Sequence, residues 1–251
     1  MKKIVIGNWK MNPASYDEAL KIFNSIKRFC PKLNKTNVVI CPPFIYSYSF
    51  IRKNKDNAIA IGAQNVFHEE QGAFTGEVSV NMLKDIGISY VITGHSERRL
   101  RGETDEDISK KIQLSINSGI YSVLCIGESE RDANGNYLNF IKEQIKNSLS
   151  KVNKKLINKL IIAYEPIWAI GAKEAMNSGD ILEMTLFIKK VLSDMFGQNE
   201  ASNIPILYGG SVNFRNAGDI ISKGQVNGLL VGRESVNRSG FIELLKAVDQ
   251  Q

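Results

Sequence analysis

Short β-branched runs recur about every thirty residues along the chain: Ile4–Ile6, Val38–Ile40, Ile59–Ile61, Tyr90–Ile92, Val123–Ile126, Leu160–Tyr164, Ile204–Tyr208 and Gly228–Val231. Each is apolar almost without interruption, the pattern of a strand covered on both faces, as in a parallel sheet lying between helices. Helical spacing fills the intervals. Ala19, Ile22, Phe23, Ile26 and Phe29 follow the i, i+3, i+4, i+7 pattern, and Ser15 with Glu18 predicts a capping box at the start of that helix. Ile181, Met184, Ile188, Val191 and Leu192 repeat the pattern before the seventh run; Phe140, Ile141, Gln144, Ile145 and Leu149 repeat it more loosely before the sixth. Thr104 and Asp107 predict a further cap.

A strand–helix unit repeated eight times closes into a (β/α)8 barrel or spreads into an open doubly wound sheet. The segment after the first run, GNWKMN, lacks the GxGxxG spacing of a dinucleotide fold, and eight units in 251 residues match the barrel. No linker, low-complexity tract or composition break divides the chain, so the expectation is an α/β protein forming a single (β/α)8 barrel domain over residues 1–251.

Composition removes several function classes. No run of eighteen apolar residues exists, and the apolar stretch Ile4–Ile6 is too short for a signal peptide, which predicts a cytoplasmic protein without a membrane partner. Cys30, Cys41 and Cys125 are odd in number and widely spaced, unlike a disulfide framework or a zinc site; reduced thiols and no metal are expected. The formal charge of +6 admits anionic partners. The densest basic cluster, Lys151–Lys159, carries no aromatic residue for base stacking and spaces Val152, Leu156 and Ile157 as a solvated helix face would; no nucleic acid is expected.

In a (β/α)8 barrel the working residues stand at the C-terminal strand ends. Asn8 and Lys10 follow the first strand, His95 and Glu97 the fourth, Glu165 the sixth, Gly209, Gly210 and Ser211 the seventh, and Gly232 and Arg233 the eighth. Glu165 closes LIIAY and precedes Pro166, which keeps its backbone extended; it reads either as an ion-paired strand-end carboxylate or as a general base. His95 follows YVITG where a short helix opens, and reads as a structural hydrogen bonder or as a neutral donor to a substrate oxygen. His68 reads as a loop residue. Lys10 can be a fixed positive charge or a Schiff-base amine. The glycines after strands seven and eight can turn tightly or expose backbone N–H groups to phosphate.

Taken together, GNWKMN at Gly7, GAQN at Gly62, GAFTGE at Gly72, GHSERR at Gly94, CIGE at Cys125, AYEPIWAIG at Ala163 and YGGSV at Tyr208 make the chain resemble the triosephosphate isomerase family over nearly its whole length. The resemblance implies a TIM barrel that interconverts dihydroxyacetone phosphate and D-glyceraldehyde 3-phosphate in glycolysis and gluconeogenesis, without organic cofactor or metal. It implies Glu165 as general base, His95 as neutral electrophile, Asn8 and Lys10 beside the carbonyl, and Glu97 orienting Lys10. It implies phosphate held by backbone N–H groups at Gly171, Ser211, Gly232 and Arg233. PIWAIGAKEAMN resembles the family's lid, with Ala172 and Lys173 where the family often has Thr and Gly, an atypical trailing hinge at Met176 and Asn177, and Lys173 placed to draw anions; Arg233 stands where glycine is common. The Gln64–Glu77 loop, with Phe74 and Thr75 near its tip, resembles a loop that enters a second subunit beside that subunit's site and so implies a homodimer. An aldolase using Lys10 and a barrel retained only for binding are the alternative expectations; intact Asn8, Lys10, His95 and Glu165 argue against the latter.

Overall fold

The computed structural model describes residues 2–172 and 174–251. Eight parallel strands close on themselves in sequence order: β1 (Lys3–Asn8), β2 (Thr36–Cys41), β3 (Ala60–Ala63), β4 (Tyr90–Thr93), β5 (Tyr121–Ile126), β6 (Leu160–Tyr164), β7 (Ile206–Tyr208) and β8 (Gly228–Val231). The helices that link them are α1 (Tyr16–Phe29), α2 (Phe44–Lys53), α3 (Val80–Ile86), α4 (Ser96–Arg99), α5 (Asp105–Asn117), α6 (Asn136–Ser148), α7 (Ser178–Phe196), α8 (Gln198–Ser202) and α9 (Ala217–Lys223), with α10 (Arg238–Asp249) closing the chain. Among the described residues no helix is long and apolar enough to cross a membrane.

The uninterrupted apolar runs are explained by two separate cores. Alternate strand residues point to opposite faces. Ile4, Ile6, Val39, Ile92, Val123, Ile161 and Leu207 fill a cluster inside the barrel. Val5, Val38, Ile40, Val91, Leu124, Ile162 and Leu229 join the helices in the outer layer. The seam that closes the ring depends on a missing side chain: a Cβ on Gly228 would stand 1.9 Å from the Ile4 carbonyl oxygen, so only glycine lets β8 reach β1.

Several local expectations shift for identifiable reasons. β3 starts at Ala60 rather than Ile59, whose carbonyl accepts from the Asn54 amide at 2.5 Å. β7 starts at Ile206: Pro205 has no N–H, and the Ile204 N–H donates to Ala201 at the end of α8. Ser15 caps α1 by accepting from the Glu18 N–H, but the reciprocal, complete capping box is at Thr104 and Asp107. In α6, Phe140 is exposed while Gln144 is buried, because its side chain accepts from the Gly127 N–H at 2.9 Å. Lys154–Lys159 forms a 3-10 helix with Ile157 buried and Lys159 over the Tyr121 ring, in place of an α-helical face. His68 lies in its loop, 3.6 Å from the Asp107 carboxylate. All three cysteines are free and buried; burial pushes the Cys30 thiol up to about 12 and Cys41 higher still.

A buried ion pair ties α5 to the segments after β3 and α4. The Lys111 ammonium meets Glu103 Oε1 and donates to Asn65 Oδ1 at 2.9 Å, with both charged side chains nearly solvent-free. Arg98 adds only a 3.4 Å contact to the same carboxylate oxygen, and Glu103 Oε2 has no partner among the described residues. Lys111→Met therefore leaves a buried carboxylate poorly compensated and is expected to cost about 3 kcal/mol, measured by equilibrium urea unfolding at fixed protein concentration. A loss under about 1 kcal/mol would contradict this account of the pair.

Candidate active site

Parallel closure brings the C-terminal ends of the strands to one rim, where Asn8, Lys10, His95, Glu97 and Glu165 meet. At the end of β1 the Lys10 backbone is left-handed, with φ +52°, a costly conformation for a residue with a side chain. Two neighbours hold it there. Asn8 Oδ1 accepts from the Lys10 N–H at 3.1 Å, and the Gln64 amide donates to the carbonyls of Lys10 and Cys41 at 2.8 and 2.9 Å. The Lys10 ammonium then reaches Glu97 Oε1 at 2.6 Å. Burial pushes the Glu97 carboxyl up, but its hydrogen bond to Lys10 and the Lys10 charge together outweigh that and leave it below the ordinary glutamate value.

At the end of β4, Gly94 turns the chain with φ +65° and His95 caps α4. The His95 Nδ1 accepts from the Glu97 N–H at 3.2 Å. That contact uses the Nδ1 lone pair, so the neutral ring carries its proton on Nε2. Nε2 stands 3.6 Å from Glu165 Oε1. Arg99 braces the turn from behind, donating to the Gly94 carbonyl at 2.8 Å and pairing with Asp105 at 2.6 Å.

Glu165 is 5% exposed, and its Oε2 has no hydrogen-bond partner among the described residues. A buried carboxylate oxygen without a partner is costly and chemically available. Two glycines make room for it. A Cβ on Gly209 would lie 2.7 Å from the Glu165 side chain, and one on Gly127 would lie 1.9 Å from its carbonyl oxygen. The buried Cys125 thiol is pushed well above its ordinary value, first by burial and then by the facing Glu165 carboxylate.

The loop after β6 is tied down at both ends. Ser211 Oγ, on a left-handed residue with φ +45°, lies within donating distance of the carbonyls of Ala169 and Ala172 at 2.7 and 2.9 Å, and the Met176 N–H donates to the Tyr208 hydroxyl at 3.1 Å. Buried Glu128 accepts from the Tyr164 hydroxyl at 2.8 Å and from the Trp168 indole at 3.1 Å, while Arg131 pairs with it at 3.0 Å. The atypical hinge residues have local roles: Met176 is buried, and Asn177 caps α7 by accepting from the Asp180 N–H at 2.9 Å. Lys173 lies outside the described residues. Gly171, with φ +74°, faces the Arg233 side chain, and Gly232 lies beside the Lys10 stem.

Among the described residues the rim thus gathers the candidates from Asn8 to Arg233 except Thr75, which is exposed on the Gln64–Glu77 loop and makes no hydrogen bond to them. A surface cavity of about 570 Å³, lined by Lys21, Lys27, Arg28 and Arg238 among others, lies outside the barrel and includes none of the site residues. Sequence reasoning did not single out Gln64, Arg99, Glu128, Arg131 or Gln144 as supports. For Gln144 the signal was an amide inside an apolar stripe.

A family model described as triosephosphate isomerase matches residues 3–248. The chain belongs to the triosephosphate isomerase family. It is similar to proteins named triosephosphate isomerase from Lawsonia intracellularis, at 40% identity over 98% of both chains, and from Dictyoglomus thermophilum, at 39% over 98% of this chain and 99% of the relative. A relative of the same name from Dehalococcoides mccartyi is 39% identical over 98% of this chain and 96% of its own length.

The acceptor role of Nδ1 has a direct spectroscopic test. Nitrogen NMR of labelled His95 near pH 8, in the unliganded protein, is expected to show the ring proton on Nε2; a proton on Nδ1 would overturn the assignment.

Proposed function

We propose that the chain is a triose-phosphate isomerase, an aldose–ketose isomerase that interconverts dihydroxyacetone phosphate and D-glyceraldehyde 3-phosphate in glycolysis and gluconeogenesis. The observation that carries this reading is the buried Glu165 side chain, with Oε2 lacking a hydrogen-bond partner among the described residues and Oε1 3.6 Å from His95 Nε2, the nitrogen to which the Glu97 contact assigns the ring proton. A base and a hydrogen-bond donor so close together suit proton abstraction beside a carbonyl. Glu165 takes a proton from the carbon next to the carbonyl, and the electron pair moves onto the carbonyl oxygen. The product of that step is an enediol or enediolate. His95 Nε2–H, Asn8 and the Lys10 ammonium stabilise the developing oxygen charge; Glu165 returns its proton to the neighbouring carbon while a hydroxyl proton passes between the two oxygens. Glu97 positions Lys10 through the 2.6 Å ion pair.

Phosphate is held in this reading by the backbone N–H groups of Gly171, Ser211, Gly232 and Arg233. The loop containing Gly171 serves as a lid that excludes water from the enediolate and keeps it from expelling phosphate. Its ties to Ser211 and Tyr208 support that role. The Lys10 Schiff-base alternative loses support from the ion pair, which ties the Lys10 side-chain nitrogen to Glu97 Oε1 at 2.6 Å instead of leaving it free to add to a carbonyl. We assign the protein to the cytoplasm, where its buried thiols stay reduced.

A homodimer would cover part of the exposed apolar surface. Met11 is 91% and Ile45 80% exposed, and Tyr48, Phe74 and Met82 are also exposed, all in segments that follow the first three strands. In this reading the Gln64–Glu77 loop carries Thr75 to the partner's active site.

Two measurements test these proposals. In a coupled assay with D-glyceraldehyde 3-phosphate, the protein is expected to isomerise rapidly with little inorganic phosphate released, and Glu165→Ala to lose at least roughly 10²–10⁴-fold in kcat. A well-folded protein without isomerisation, or a fully active variant, would sink the assignment. Sedimentation at low micromolar concentration is expected to give the mass of a dimer; monomer alone would defeat the dimer and the Thr75 placement.

A further inference from the structure

Arg233 is the exposed first residue of the short 3-10 helix after β8, where the resemblance led us to expect only a backbone contact. Its guanidinium reaches across the rim: Nη2 lies 3.7 Å from where a Cβ on Gly171 would stand. The residue before it, Gly232, comes within 3.6 Å of the Lys10 stem by the same measure. Gly232–Arg233 therefore bridges from the Lys10 side of the site to the loop over its mouth.

The charge balance gives that reach a purpose. Lys10 is neutralised by Glu97 at 2.6 Å. Among the described residues the Arg233 guanidinium has neither an ion pair nor a hydrogen bond, although a planar fork of donors is suited to bidentate contact with phosphate oxygens. Gly171 leaves open the side of the loop that faces it.

We propose that the Arg233 side chain is a second, cationic contact for the substrate's phosphate dianion, clamping it from the Gly171 side of the loop while the backbone cradle holds it from beneath. The proposal rests on the triose-phosphate reading. It adds an ionic contact to neutral N–H donors and makes substrate capture depend on this one side chain. In this proposal the clamp holds the phosphate equally in the ground state and the transition state, so its removal acts on KM rather than kcat.

The test compares wild type with Arg233→Gln, which keeps a polar stem without charge, and Arg233→Lys, which keeps charge without the fork. Arg233→Gln is expected to raise KM for D-glyceraldehyde 3-phosphate about tenfold with kcat within about twofold, and Arg233→Lys to recover part of the loss. The decline of kcat/KM with added salt should also be shallower in Arg233→Gln than in wild type. Calorimetric titration with inorganic phosphate supplies a readout independent of turnover, with an expected weakening of about tenfold in the same variant. An active wild type with unchanged KM and phosphate affinity in Arg233→Gln would overturn the clamp and leave the isomerase reading intact. A fall in KM would identify the arginine as an obstruction and also overturn it. An inactive wild type would instead defeat the isomerase reading, while phosphate titration still decides whether the guanidinium binds the anion.

Discussion

Closure of a parallel ladder is the constraint on which the rest of the molecule depends. Each strand must return by a crossover to the same starting end, so their C-terminal ends gather on one rim. The ring closes through the approach of Gly228 to the Ile4 carbonyl, where any side chain would collide with the β1 backbone. With the ring closed, Lys10, His95 and Glu165, carried by β1, β4 and β6, stand in one site despite their separation in sequence.

The rim is arranged around one expensive feature, a buried Glu165 with an oxygen that has no hydrogen-bond partner among the described residues. Removing that cost with a hydrogen bond would also quench a base. Its surroundings are fixed instead: Gly209 and Gly127 leave space that only glycine leaves, Gln144 holds the Gly127 N–H, and Arg99 holds the turn that carries His95. Lys10 repeats the pattern, a left-handed residue held by Asn8 and Gln64 so that its charge meets Glu97. Backbone strain persists here because neighbours on several other elements determine the geometry.

The strand runs were legible because both faces of every strand are buried, which leaves a local signature in composition. Their ends were less so. Pro205 and the Asn54 amide moved two boundaries through contacts that apolar periodicity does not register. Glu165 and His95 could be picked out because Glu165 directly follows β6 and His95 stands just past the Gly94 turn that ends β4. Gln64 and Arg99 could not, since a glutamine in a loop and an arginine in a short helix look ordinary until their partners are known.

By itself the sequence determined the number and order of the strand–helix units, the strand ends that carry chemistry and, through its motifs, the family. Tertiary structure decided which His95 nitrogen faces Glu165, how Lys10 is held and paired, which apolar residues remain uncovered, and that the Arg233 side chain reaches Gly171. The physical reason is range. Periodicity and capping report interactions a few residues apart, whereas Gln64 meets Lys10 across 54 positions and Glu97 meets it across 87, contacts that exist only once the barrel has closed.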